Sequence, residues 1–207
     1  MGRRAELPTR RALALALPGL ALAPGLAARA LNQAAEGQAA PAAGEKKPLA
    51  ATVVLLRHAE KDEKGDAVNP GLSEAGKKRA AGLAKLLSRA KVTHLFASKY
   101  RRTQETLQPL AEATGLKVDT DQGALAARLA PRLLELQSGS VAVVAGHSNT
   151  IPAIAAALGA EVAGLETSPQ GPVIPDKEYG RLFVLTPAPP GGSGGGRASL
   201  LELAYGD

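Results

Sequence analysis

The chain has 207 residues, 45% hydrophobic and 21% charged, which gives room for one domain with a full core and little for a second. These proportions exclude wholesale disorder and a collagen-like chain. Aromatics at 2% with no Trp argue against a single-strand nucleic-acid reader built on stacking, and zero Cys excludes a disulfide scaffold, a thiolate metal site and a thiol nucleophile. The formal charge of +6 belongs mostly to residues 1–30, whose five Arg and single Glu6, taken from totals of 25 and 19, leave 20 basic and 18 acidic side chains, or +2. That is too little for an electrostatic footprint on DNA or an anionic membrane.

In chain order, residues 1–30 read as a targeting segment. A basic region through Arg11 precedes the apolar stretch Ala12 to Ala28, and Ala28-Arg29-Ala30 supplies an A-x-A-like cleavage pattern. The run Thr9-Arg10-Arg11-Ala12-Leu13 also resembles a twin-arginine signal. Pro18 and Pro24 interrupt a stretch already short for a membrane span. The expectation is a signal peptide over 1–30, a linker over 31–50, a mature N-terminus near Leu31 and a periplasmic or secreted domain over 51–207. No stable membrane insertion is expected after signal removal.

Thr52 to Leu56 is a short β-branched and apolar run, the pattern of a strand buried on both faces. A polar loop over 61–71 follows. Leu72, Ala75, Arg79, Leu83, Leu86 and Leu87 then recur at helical spacing. Val92 to Ala97 reads as a second strand, Tyr100 to Thr114 as a helix closed by Gly115, Leu116 to Val118 as a short strand, and Ala124 to Leu136 as a helix. Val141 to Ala145 repeats the buried-strand pattern, and Thr150 to Leu158 forms the next helix with Pro152 in its first turn. Arg181 to Thr186 and Ala198 to Ala204 are the last two strands, joined through a Gly-rich stretch over 191–196. Alternating strands and helices predict an α/β fold, a three-layer αβα sandwich around a mainly parallel sheet.

Three polar clusters follow predicted strands: Arg57-His58-Ala59-Glu60, Ser98 to Arg102, and Gly146-His147-Ser148-Asn149. Ligands of open α/β sheets bind at the carboxyl ends of strands, so two histidines and two arginines are expected on one rim. Guanidinium forks match phosphate oxygens. Helix N-termini after Asn149 and near Tyr100 would add backbone N–H groups. A neutral imidazole whose other nitrogen is held by a carbonyl can attack phosphorus. A metal site fits poorly, because the arginines repel a cation and no carboxylate cluster accompanies them.

Arg57-His58-Ala59-Glu60 resembles the signature of the histidine phosphatase superfamily (phosphoglycerate mutase-like), whose usual form is Arg-His-Gly. Leu72-Ser73-Glu74-Ala75-Gly76, the stretch from Ser98 to Thr106, and Gly146-His147-Ser148-Asn149 agree in family order. The resemblance runs from about Ala51 to Thr186 and is nearest the small, phosphohistidine-phosphatase-like branch. It implies a phosphatase with His58 as the nucleophile and Arg57, Arg102 and His147 around the phosphoryl group, helped by Ser148 and Asn149. It implies no metal and no organic cofactor. Arg102 is preferred to Arg101, a surface charge, because it stands four residues after Ser98 and four before Thr106. The general acid is the gap: Asp121 is the first choice, with Asp119, Asp176 and Glu178 as alternatives. Glu60 and Lys61 could pair with each other or touch substrate, and His94 reads as structural. The expected partner is a small phosphomonoester or a phosphorylated macromolecule, and not nucleic acid. The alternative is a phosphate-binding module without turnover.

Overall fold

The computed structural model describes residues 50–120, 126–187 and 198–206. The expected targeting segment and linker, the Gly-rich stretch over 191–196 and Asp121 therefore lie outside the described residues. Eight strands and four helices are present among those described: β1 (Thr52–Arg57), α1 (Glu74–Leu86), β2 (His94–Ala97), α2 (Arg101–Thr114), β3 (Val118–Asp119), α3 (Ala126–Leu134), β4 (Val141–Gly146), α4 (Thr150–Ala157), β5 (Glu166–Ser168), β6 (Gly171–Val173), β7 (Arg181–Thr186) and β8 (Ser199–Ala204).

Six strands form one sheet in the order β3-β2-β4-β1-β7-β8. β1, β2, β3 and β4 run parallel, while β7 and β8 join antiparallel at one side. Side chains alternate across the sheet. Val53, Leu55 and Val144 face a core with Leu129, Leu133, Ile151 and Ile154 of α3 and α4. Val54, Leu56 and Val143 face a core with Leu83, Leu107 and Leu110 of α1 and α2. Each buried strand thus reads as a continuous apolar run, and the layers are α, β, α.

Register decides where the polar clusters emerge. Arg57 aligns with Gly146 and Ala97 with Ala145, so β1, β2 and β4 end level. The His58 N–H still donates to the Gly146 carbonyl at 2.9 Å. His58, Ser98 and His147 therefore leave the sheet side by side.

Three local expectations need correction. In α1 the buried face is Gly76, Ala80 and Leu83, whereas Leu86 is half exposed and Ala75 faces out. Ser73 caps the helix, which begins at Glu74, so Leu72, the first residue of the apolar series, lies just outside it. The segment 160–176, for which no element was expected, holds the β5–β6 hairpin. Its strands have three residues each, too short to show a period of two. The strand expected over 116–118 is Val118–Asp119, paired to β2.

Candidate active site

The His58 ring is almost buried, at 5% exposure. Its Nδ1 lies 2.8 Å from the Ala59 carbonyl oxygen. A carbonyl can only accept, so Nδ1 carries the proton and Nε2 keeps its lone pair. Burial, against the raising effect of the Ala59 bond and with smaller contributions from His147, Arg57 and Arg102, lowers the His58 pKa to about 3. The ring is neutral at neutral pH, with a fixed tautomer.

His147 meets His58 edge-on, with ring centroids 5.4 Å apart. Arg102 Nη2 can only donate, and it lies 3.4 Å from His147 Nδ1. Nε2 therefore carries the His147 proton and donates to Ser98 Oγ at 2.9 Å. Ser98 passes the chain on to Thr103 Oγ1 at 2.8 Å, and Thr103 donates to the Tyr100 carbonyl at 2.7 Å. Burial, then Arg102 and Arg57, lower the His147 pKa to about 4.

Arg57 is held from the far end of the chain. Its Nη1 donates to the carbonyls of Pro175 and Asp176, both at 2.9 Å, and its Nη2 to Asp176 Oδ1 at 3.2 Å. Tyr179 stacks on the guanidinium at 4.4 Å and stands 6.1 Å from the His58 ring. Tyr100 lies 4.6 Å from the Arg102 guanidinium and 5.3 Å from the His147 ring. Both tyrosines escaped the sequence reading, although in a chain with two Phe and three Tyr a Tyr beside a polar strand end is itself a signal.

The loops behind the site explain the motif residues. Ser73 accepts from the Gly76 N–H at 3.1 Å and caps α1. At Gly76 a Cβ would run into the Glu60 carbonyl oxygen, so only glycine lets α1 lie against the loop after His58. Thr106 Oγ1 accepts from the Ala59 N–H at 2.9 Å and donates to the Arg102 carbonyl at 2.7 Å. One hydroxyl thereby ties the first histidine's loop to the turn that carries Arg102. The Ala59 side chain, where the family pattern has Gly, is fully buried against Leu72 and Ala80. At β4, a Cβ on Gly146 would crowd Thr150 Oγ1 and Ile151, and Thr150 Oγ1 accepts the His147 N–H at 2.8 Å.

The structure brings Arg57, His58, Arg102 and His147 together. Ser148 and Asn149 follow at the start of α4; Asn149 lines a groove of about 1000 Å³ whose walls include Pro152, Ala156, Leu165 and Glu166. The α2 N-terminus differs from expectation: its Arg101 N–H is taken by Asn69 Oδ1 at 2.9 Å, and the Tyr100 N–H contacts Ser98 Oγ at 3.3 Å. Arg101 is exposed and paired with Glu105. Glu60 does not pair with Lys61; it takes Arg79 through both carboxylate oxygens. Burial works to raise the Glu60 carboxyl, and the Arg79 bonds outweigh it and hold it below its ordinary value. Of the candidate acids, Asp119 is bridged to Arg132, Glu178 to Arg181 and Asp176 to Arg57, so among the described residues only Asp176 touches the cluster. His94 contacts Thr93 and stacks on Phe96. No group of three or more His, Asp and Glu among the described residues is placed to hold a metal ion.

A buried neutral histidine, a second histidine and two guanidinium groups thus gather at the level ends of parallel strands of an α/β protein. The model of the histidine phosphatase superfamily (branch 1) matches residues 53–125. A protein of Yersinia enterocolitica described as a probable phosphoglycerate mutase, GpmB, is 34% identical over 93 residues, which are 42% of this chain and 39% of that protein. The chain thus matches well under half the length of that relative. The candidate phosphohistidine phosphatase SixA from Agrobacterium tumefaciens has a similar fold, with a TM-score of 0.52, 24% identity, and coverage of 76% of this chain and 99% of that one. A SixA structure from Nakamurella multipartitia gives 0.50 and 22%, over 76% and 98% of the two chains. At these identities the structures show a shared fold. The family match is thus confined to residues 53–125, within a fold that this chain shares with the SixA structures.

Proposed function

We propose that this protein is an exported phosphomonoester phosphatase that works through a phosphohistidine on His58. One observation carries the reading: the bond from His58 Nδ1 to Ala59 leaves Nε2 unprotonated beside Arg102 and His147. Nε2 attacks phosphorus, the bond from phosphorus to the ester oxygen breaks, and the leaving oxygen takes a proton from solvent water. Water then attacks the phosphohistidine, releasing phosphate and restoring the imidazole. Arg57, Arg102, His147 and the α4 N-terminus, with Ser148 and Asn149, stabilise the transferring group's charge. Fixed cations do this without a metal, so a chelator is expected to leave turnover unchanged. The names of the GpmB and SixA relatives support phosphoryl chemistry at histidine. Residues 1–30 support export, which would separate the protein from glycolytic mutase work.

The wild type is expected to release phosphate from p-nitrophenyl phosphate and to form an acid-labile phosphoenzyme, and His58→Ala to do neither. Equal background rates in both would end the enzymatic reading. A second reading, a phosphate-binding module without efficient turnover, is favoured by one observation: each described candidate acid is held by an arginine. It predicts that wild type binds phosphate or vanadate without accumulating phosphoenzyme or turning over.

A further inference from the structure

Arg57 is nearly enclosed, with 7% of its side chain exposed. Its Nη1 is committed to two backbone carbonyls, and its Nε is shut away from solvent without a partner. The nitrogen left for an external anion is Nη2, and that is where the Asp176 carboxylate sits, at 3.2 Å. Asp176 itself is 95% exposed, so it stands at the mouth of the site, in water, with one oxygen on the group proposed to receive phosphate.

We infer that Asp176 is an affinity-setting residue, a carboxylate gate that shares the Arg57 fork with the phosphoryl group. This rests on the phosphatase reading of the site. In the empty site the carboxylate balances a buried cation that would otherwise be poorly compensated. When a phosphate dianion arrives at Nη2, two anions share one guanidinium and repel each other across about 6 Å. The gate weakens phosphate binding, favours product release, and counts against ligands of higher negative charge. The loop is not held by the carboxylate alone, since the Pro175 and Asp176 carbonyls and the Tyr179 ring remain on Arg57 without it.

The test is the sign of a change in affinity. Inorganic phosphate binding is measured by calorimetry, and as competitive inhibition of p-nitrophenyl phosphate hydrolysis, for wild type, Asp176→Asn, Asp176→Ala and Asp176→Glu. Tighter phosphate binding by about three- to tenfold is expected in the Asn and Ala variants, narrowing as salt rises, with near wild-type affinity in the Glu variant. A contact that merely supports Arg57 predicts weaker binding on its removal, and either weaker or unchanged affinity overturns the gate. A fall in kcat confined to poor leaving groups, with phosphate affinity unchanged, would make Asp176 the proton donor and also overturn it. The two readings fail separately: wild type that turns over while Asp176→Asn binds no tighter sinks only the gate. No phosphate binding by any variant sinks the phosphoryl site and the gate with it.

Discussion

Arg101 and Arg102 are adjacent in sequence and opposite in circumstance. Arg102 reaches His147 and packs on Tyr100, while Arg101 is exposed on Glu105. Under the proposed mechanism, replacing Arg102 with Ala removes a fixed donor to the transferring group and is expected to cost about 10²–10³ in kcat. Arg101→Ala removes an exposed helical pair, worth about 0.3–0.5 kcal/mol, and should leave turnover within a few-fold. Equal losses in steady-state assays would refute the assignment. The histidines also make stability depend on pH. Both have folded pKa values, about 3 and about 4, below the ordinary 6.5. The unfolded chain therefore binds more protons as pH falls through 6.5, and stability declines down to those folded values. The slope is up to ~1.4 kcal/mol per pH unit for each ring. Urea melts of His147→Gln between pH 7 and pH 4.5 should show a shallower loss than wild type; parallel curves would mean that the ring is not buried neutral.

The elements that carry the site are fastened by small contacts whose residue types the sequence shows but whose partners it hides. Ser73 and Gly76 announce a helix start, yet nothing in their spacing says that Gly76 faces the Glu60 carbonyl. Gly76→Ala adds helix propensity and is nevertheless expected to destabilise by about 1–3 kcal/mol, because backbone cannot yield as a side chain does. A gain in urea midpoint would show that α1 does not rest on that loop. Thr106 is the corresponding tie from α2. Thr106→Val leaves the buried Ala59 N–H without its acceptor, at a cost of about 1–3 kcal/mol, and should lower kcat more than it changes KM. The apolar β1 and β4 were legible as strands because burial on both faces leaves an unbroken run. The β5–β6 hairpin was not, because strands of only three residues each leave no periodicity to read.

For the whole molecule, export is the claim that reaches beyond the fold. The basic and apolar stretch over residues 1–30, with its A-x-A-like end, leads us to expect a mature N-terminus near Leu31, measurable by N-terminal sequencing of the exported fraction. Intact Met1 there would overturn it. Among the described residues no helix is long and apolar enough to cross a membrane. The sheet order β3-β2-β4-β1-β7-β8 places β1 and β4 at the centre, so the two histidine-bearing turns emerge from the most constrained strands. The proposed nucleophile would need that rigidity, because small displacements of reacting groups are costly in rate.

Read alone, the sequence determined which strands are buried, that they alternate with helices, and that two histidines and two arginines lie just past strand ends. These are local patterns, carried by hydrophobic periodicity and neighbouring residue types. Only the tertiary structure decided that Asp176 and Tyr179, more than a hundred residues from Arg57, close on its guanidinium. It alone also paired Glu60 with Arg79 rather than Lys61, and gave each imidazole its tautomer. Partners brought together by folding leave no period and no spacing in the chain, because the contact is set by strand register and loop path.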